Sequence, residues 1–292
     1  MLAIVIPYYK IDFFQETLQS LADQSCQDFT VYIGNDNSPV DPTVVLEQFK
    51  DKLQIKYQKF ETNLGKIALT HHWQRCLNSV QNAQWVMILG DDDVLETNVV
   101  DEFYSNLHKI ETQNCKVVRF ASQKITAHND AVSDVYKHPL LEKATDFLVR
   151  KHLGETRSSL SEYIFHFETL QQVKFKNFPL AWHSDVVAVL EVSNFNTIYS
   201  INNALVKIRI SSLSISGSET FSAQKRKANV QYALFLLNHV NYFSPHEFEI
   251  LKIAENTYLN NKKALLLVLK IKVYYVLHCQ WNNWFNFLKK IV

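Results

Sequence analysis

The sequence predicts an α/β fold, with a mostly parallel sheet flanked by helices and a helical C-terminal extension. Three observations carry this. Short continuous apolar runs alternate with segments of helical spacing through roughly the first 115 residues, the signature of right-handed βαβ units. Polar clusters follow those runs at what would be the carboxyl ends of the strands, where ligands collect in such sheets. Beyond Glu219 every segment has helical spacing.

Taken in order, Leu2 to Ile6 is an apolar run stopped by Pro7, as a strand buried on both faces would be. It lacks a basic flank and a small-residue cleavage site, so it reads as a strand and not as a leader. Phe14, Leu18, Leu21 and Ala22 give Phe13 to Ala22 a helical spacing. Phe29 to Ile33 is a second strand, ending in the turn-rich Gly34-Asn35-Asp36-Asn37-Ser38-Pro39. A helix over Val44 to Phe49, a strand over Ile55 to Phe60, a helix over Ile67 to Val80 and a strand over Trp85 to Leu89 follow. The alternation then loosens. Strands are expected at Lys116 to Phe120 and Val132 to Tyr136, a helix at Leu140 to Leu153, and two short strands around Asn202-Asn203 within Asn196 to Arg209. Ser211 to Ser218 reads as a mobile serine-rich loop. Helices near Thr220 to Val240, Pro245 to Tyr258 and Lys262 to Leu288 complete the chain, which divides into an α/β unit over 1–217 and a helical extension over 218–292.

With 47% hydrophobic and 20% charged residues, and few glycines and prolines, the chain is neither disordered nor fibrous. A net charge of +1 gives no general attraction to nucleic acid. Cys26, Cys76, Cys115 and Cys279 lie far apart with no C-x-x-C pair, so neither zinc nor a disulfide framework is expected, and a reducing cytoplasm fits. No uncharged apolar run is long enough to span a bilayer.

The stretch Trp85-Val86-Met87-Ile88-Leu89-Gly90-Asp91-Asp92-Asp93 drives a strand into three adjacent carboxylates. Burying like charges without compensation costs several kcal/mol. Either the strand simply ends in water and an aspartate caps a helix beginning near Glu96, or the oxygens serve a divalent cation such as Mg²⁺ or Mn²⁺, which shares its ligands between carboxylates, phosphate and water.

Four segments in this order and spacing, Ile6-Pro7-Tyr8-Tyr9, Asn35-Asp36-Asn37-Ser38, Asn63-Leu64-Gly65-Lys66 and Gly90-Asp91-Asp92-Asp93, resemble the inverting glycosyltransferases of family 2, of the bacterial surface-polysaccharide type, over roughly residues 1 to 215. The resemblance implies the nucleotide-sugar-binding GT-A fold. It places Pro7, Tyr9, Asp36, Lys66 and Asp91 on the nucleotide sugar, with Asp36 toward the base and Asp91 on the ribose or the metal's waters. Asp92 becomes the direct ligand of Mn²⁺ or Mg²⁺, supported by Asp93. Gly90 stands where relatives carry a first carboxylate, and Lys10 where they carry Asn. In Leu180-Ala181-Trp182-His183-Ser184-Asp185 the resemblance puts the general base at Asp185, with Ser184 in place of Glu. The plainer alternative is that Asp185 caps the following helix. Trp182 and His183 are candidates for the acceptor, and Arg209, on the loop running to Ser216, for closing over the diphosphate. His71-His72 reads as helix surface and not as a metal pair.

The activity implied is metal-dependent, inverting transfer of a sugar from a nucleoside-diphosphate donor, a UDP-sugar, to a hydroxyl of a glycan or lipid-linked oligosaccharide, as in building capsule or lipopolysaccharide. A transferase-like module that binds nucleotide without turnover is the alternative. Nucleotidyl transfer lacks its glycine-rich phosphate loop here. At the C-terminus Leu266, Leu269, Val273, Val276, Leu277, Trp284, Phe285 and Leu288 approximate a stripe flanked by lysines. It would pack on the catalytic unit or a second subunit, or touch the inner membrane face peripherally.

Overall fold

The computed structural model describes residues 1–211 and 221–291. The chain runs through β1 (Leu2–Tyr8), α1 (Phe14–Ala22), β2 (Phe29–Asn35), α2 (Thr43–Glu47), β3 (Ile55–Lys59), α3 (Gly65–Leu77), β4 (Trp85–Ile88), β5 (Val94–Leu95), α4 (Val99–Thr112) and β6 (Val117–Ile125). It continues through β7 (Leu141–Lys143), α5 (Ala144–His152), β8 (Tyr163–His166), α6 (Phe167–Val173), α7 (Ser184–Val192) and β9 (Thr197–Arg209). Four helices follow: α8 (Ser222–Asn238), α9 (Glu247–Leu259), α10 (Leu265–Leu277) and α11 (Trp281–Ile291).

The strands form one sheet in the order β3-β2-β1-β4-β8-β6-β9-β5, with β7 also paired to β9. Strands β3, β2, β1, β4, β6 and β9 run in one direction; β8, β5 and β7 run against it. The expected α/β class with a mostly parallel sheet is what forms. Strand periodicity explains the two cores. Leu2, Ile4 and Ile6 of β1 face Phe14 and Leu18 of α1 and Val99 and Phe103 of α4. Ala3 and Val5 face the opposite layer, with Trp73 and Cys76 of α3, Val187 and Leu190 of α7, and Tyr232 and Leu236 of α8. That second core passes without a break into α8, α9 and α10. The expected boundary near 217 lies outside the described residues, as does the serine-rich loop beyond Ser211.

Four local expectations are corrected. Val132 to Tyr136 forms no strand. It contributes one isolated bridge, Ser122 to Tyr136, and another nearby joins Ile125 to Ala131, because its side chains are largely solvated and bury no face. The expected helix from Leu140 begins at Ala144, since Leu141–Lys143 instead pairs with β9 and turns Glu142 inward to Arg119 and Arg150. The two strands around Asn202-Asn203 are one, β9, with a bulge opposite Phe120/Ala121. Asn202 leaves the ladder there to bond the backbone of His138 through both its oxygen (2.9 Å) and its amide nitrogen (2.7 Å). Finally, the long last helix is two, broken at Cys279 (φ 54°). Its buried residues are Leu267, Ile271, Tyr275 and Phe287, whereas Leu266, Leu269, Val273, Leu277 and Phe285 of the expected stripe face outward.

Candidate active site

The carboxyl ends of β1, β2 and β4 open on one cavity of about 1020 Å³. Of the expected residues, Pro7, Tyr9, Asp36, Lys66, Asp91, Asp92, Asp93, Trp182, His183 and Asp185 all line it. Arg209 does not.

The three aspartates after β4 have separate surroundings. Asp91 Oδ2 accepts from the backbone N–H groups of Tyr9 (2.8 Å) and Lys10 (2.7 Å), locking the loop after β4 to that after β1. Asp93 is buried; its Oδ1 accepts from the Arg209 backbone N–H (2.9 Å) and its Oδ2 from the Ser161 hydroxyl. Ser161 in turn accepts from the Gly90 N–H (3.0 Å). Asp92 is the one whose carboxylate accepts no hydrogen bond from a described residue. Burial, then repulsion from Asp93 and Asp91, pushes its pKa up to about 8, and burial raises the other two. None caps a helix: β5 intervenes, and α4 starts after Asn98. The Gly90 departure has a steric reason. A Cβ there would sit 3.0 Å from Asp92 Oδ1 and 3.0 Å from Asp93 Oδ2, tighter than these oxygens tolerate without moving.

The expected role of Arg209 in closing over a diphosphate is corrected. Its buried guanidinium donates to the backbone oxygens of Asp92, Thr126 and Ala127 and to the side chains of Glu16 and Asn129, and it lies over the Phe13 ring. With its donors committed to neighbouring loops it braces the aspartate turn from behind.

Asp36 also works partly on the protein. Its oxygens accept from the N–H groups of Leu64 (2.8 Å) and Gly65 (2.7 Å) and from Arg75, holding the first turn of α3 against the end of β2. Gly65 is required for this approach, since a Cβ would meet Asp36 Oδ2 at 2.5 Å. His72 lies beside the same carboxylate, 3.4 Å away. It is a neutral neighbour and not an ion-pair partner: Arg75 Nε donates to its Nδ1 (3.0 Å), and burial lowers its pKa to about 3. Lys66, on the exposed first turn of α3, presents its amine at the cavity wall without a side-chain partner among the described residues.

The remaining wall is the segment before α7. Leu180, Ala181 and His183 all have positive φ (62°, 53° and 71°), and each costs about 1 kcal/mol or more in a residue bearing a Cβ. The turn is held by packing and hydrogen bonds. His183 stacks on Tyr232 of α8 (4.2 Å between centroids) and meets Asn229 Oδ1 through Nε2 (2.8 Å); burial lowers its pKa to about 3. Lys225 Nζ lies 4.8 Å from the Trp182 ring centroid. Asp185 sits in the first turn of α7, where the helix dipole favours a carboxylate, but it caps no N–H. Its Oδ2 accepts instead from the Ser158 hydroxyl (3.1 Å), which lies 2.9 Å from the Tyr163 hydroxyl.

Sequence reasoning missed the stretch from Lys151 to Ser161, which supplies Lys151, Arg157, Ser158 and Ser161 to the cavity. Its one legible signal is the Ser159-x-x-Glu162 spacing of a capping box, which the structure forms. Lys124 of β6 joins them. A second cavity of about 500 Å³ shares Trp182 and His183 with the first and extends between α8 and α9 past Arg226, Lys252, Asn256 and Asn260.

Among the described residues no three His, Cys, Asp or Glu side chains converge as a ready-made ion cage. The donor set nevertheless fits Mg²⁺ or Mn²⁺ of the kind that takes one or two protein carboxylates and the rest from phosphate and water, with Asp92 as the available oxygen ligand.

The fold is shared with S. aureus TarS. A crystal structure of its residues 1–349 in complex with UDP-GlcNAc superposes with a TM-score of 0.64 at 15% identity, covering 89% of this chain and 73% of that one. Another TarS structure gives 0.60 at 16% identity, with this chain covering 43% of its length. The 1–349 form in complex with UDP gives 0.57 at 13% identity over 97% of this chain and 91% of that one. No curated protein matches the sequence. The family described as Glycosyl transferase family 2 matches residues 3–177. That match spans more than half of the 292 residues and includes β1, the aspartate turn and the loops between them, so the chain belongs to glycosyl transferase family 2 and is a glycosyltransferase.

Proposed function

We propose that the chain transfers a sugar with inversion from a UDP-sugar, held with Mn²⁺ or Mg²⁺ at Asp92, to a hydroxyl of a glycan acceptor, and that Asp185 is the general base. The observation that carries this is the pairing in one cavity of Asp92, whose carboxylate accepts no hydrogen bond from a described residue, with a second carboxylate, Asp185, fixed by Ser158. TarS, with the same fold, has been crystallised in complex with UDP and with UDP-GlcNAc, which supports a UDP-linked donor.

The displacement breaks the bond from sugar C1 to the diphosphate oxygen and forms one from the acceptor oxygen to C1. The acceptor proton passes to Asp185, whose Oδ2 accepts from the Ser158 hydroxyl, leaving Oδ1 to take the proton. The cation, when bound, neutralises charge developing on the leaving diphosphate. Lys66, Lys151 and Arg157 line the same cavity, Lys66 on the exposed start of α3, Arg157 paired with Glu162 at 3.1 Å and Lys151 with its pKa lowered by burial. The acceptor enters from the second cavity, crossing Trp182 and His183; its carboxamides and the Trp182 ring suit sugar hydroxyls and ring faces.

Thermal-shift measurements with a panel of nucleotide sugars, with and without Mn²⁺, followed by turnover assays, test this. The wild type is expected to be stabilised by a UDP-sugar in the presence of Mn²⁺. Asp92→Ala should lose that stabilisation. Asp185→Asn should keep it while turnover falls by on the order of 10²–10⁴. Full turnover in Asp185→Asn, or no stabilisation by any donor, removes the assignment.

A further inference from the structure

Helix α10 is apolar on two faces. Leu267, Ile271 and Tyr275, four residues apart, are buried against α8 and α9. The other face leaves Leu265, Leu266, Leu269, Val273 and Leu277 open to solvent, with Leu265 71%, Leu269 55% and Leu277 74% exposed, and α11 adds Trp281 and Phe285. A contiguous exposed stripe of this kind marks an interaction surface and not the scatter of single apolar residues normal to a protein exterior.

Charge decides what covers it. After Glu255 the sequence has no acidic residue, while Lys262, Lys263, Lys270, Lys272, Lys289 and Lys290 remain. On a helical wheel Lys270 falls about 100° to one side of Leu269 and Lys272 about 60° to the other, so the two border the stripe. The ammonium groups of Lys263, Lys272 and Lys289 bond no described residue, whereas Lys262, Lys270 and Lys290 are held by the Ile291 carbonyl, Asn238 and Glu255. A second copy docked about a twofold axis would set this lysine-rich face against itself. A leaflet rich in anionic headgroups meets both features, with acyl boundary for the leucines and phosphate for the lysines. No described helix is long and apolar enough to cross a membrane, and α10 measures about 20 Å against about 30 Å of hydrocarbon, so it would lie in the interface plane.

We propose that α10 and α11 dock the enzyme on an anionic lipid surface, with the Leu265–Leu277 stripe at the headgroup boundary and the flanking lysines on lipid phosphates. Docking there holds the enzyme on a membrane, where an acceptor carried on a lipid is concentrated. The test is co-sedimentation of the full chain with vesicles of phosphatidylcholine alone or mixed with phosphatidylglycerol. Binding to the mixed vesicles is expected, on the order of tenfold or more weaker to phosphatidylcholine alone and at high salt. Leu269→Glu with Val273→Glu should abolish it, and Lys263→Glu with Lys272→Glu should weaken it on the mixed vesicles, each with an unchanged thermal unfolding midpoint. The proposal is overturned if the wild type ignores phosphatidylglycerol vesicles, or if Leu269→Glu with Val273→Glu binds them as well as the wild type. It is equally overturned by a solution dimer that Leu269→Glu dissociates and that binds no vesicle, which would assign the face to a second copy. Sugar transfer is measured with a soluble acceptor, so loss of docking and loss of the enzymatic assignment are read separately.

Discussion

Asp92 and its two neighbours concentrate the site's electrostatic strain. Three carboxylates share a short turn, and only Asp91 and Asp93 receive hydrogen bonds from described groups. With a folded pKa near 8 against an ordinary value of 3.8, Asp92 makes the folded chain hold a proton that the unfolded chain releases. Its effect on stability is therefore least harmful below pH 3.8 and grows more unfavourable as pH rises toward 8. Asp92→Asn, which removes the charge and keeps the shape, is expected to raise the thermal midpoint in metal-free buffer, more at pH 8 than at pH 5. A calorimetric pH series on both proteins checks this; equal midpoints at pH 8 would mean that the charge is already compensated. A neighbouring case is Gly65, where Ala would force a methyl within 2.5 Å of Asp36 Oδ2. Gly65→Ala should cost about 1–3 kcal/mol in urea unfolding, the usual penalty for overpacking, and weaken donor binding by displacing Lys66.

The elements show what the sequence could reveal. Strands β1, β2 and β4 were legible because each is an apolar run closed by turn residues, and the aspartate cluster because no ordinary buried strand ends in three charges. Asp185 was legible only through resemblance, but its contact with Ser158 shows that it does not serve as a helix cap. The hidden parts depend on partners distant in sequence. Arg209 has the composition of a phosphate clamp until Glu16, 193 residues away, is seen bonded to it. Ser161 looks like any serine until Gly90 and Asp93 meet on it. Which face of the terminal helix packs was not legible, because α10 is apolar nearly all round and periodicity could not show which side meets α8 and α9. Its break at Cys279 lacks the usual glycine or proline, with a positive φ in its place.

At the scale of the whole molecule, three buried histidines are held neutral. Burial lowers His72, His138 and His183 to about pH 3 each. His72 meets Arg75, His138 lies near Thr156 and the bulge at Asn202, and His183 contacts Tyr232 and Asn229. The unfolded chain protonates these groups near pH 6.5, whereas the folded chain resists protonation until about 3. Their contribution is therefore fully present above 6.5 and is lost as pH falls below it. Unfolding free energy should drop by about 0.7 kcal/mol per pH unit for each such histidine near pH 6.5, steepening to about 1.4 kcal/mol per pH unit in the middle of that window. Urea titrations at pH 7.5, 6.5 and 5.5 measure the slope, and His138→Gln should flatten it; an unchanged slope would count against buried neutral histidine as the cause.

Tyr232 and Asn229 belong to α8, beyond residue 177 where the family match ends, yet they brace the left-handed turn that carries Trp182, His183 and Asp185. A truncated enzyme made by keeping only the recognisable family segment would lose that shelf altogether, and one extended just past Asp185 would leave it without its buttress. The smallest working version of this transferase is expected to extend at least through α8, and grafting the family portion onto another scaffold to need that helix as well.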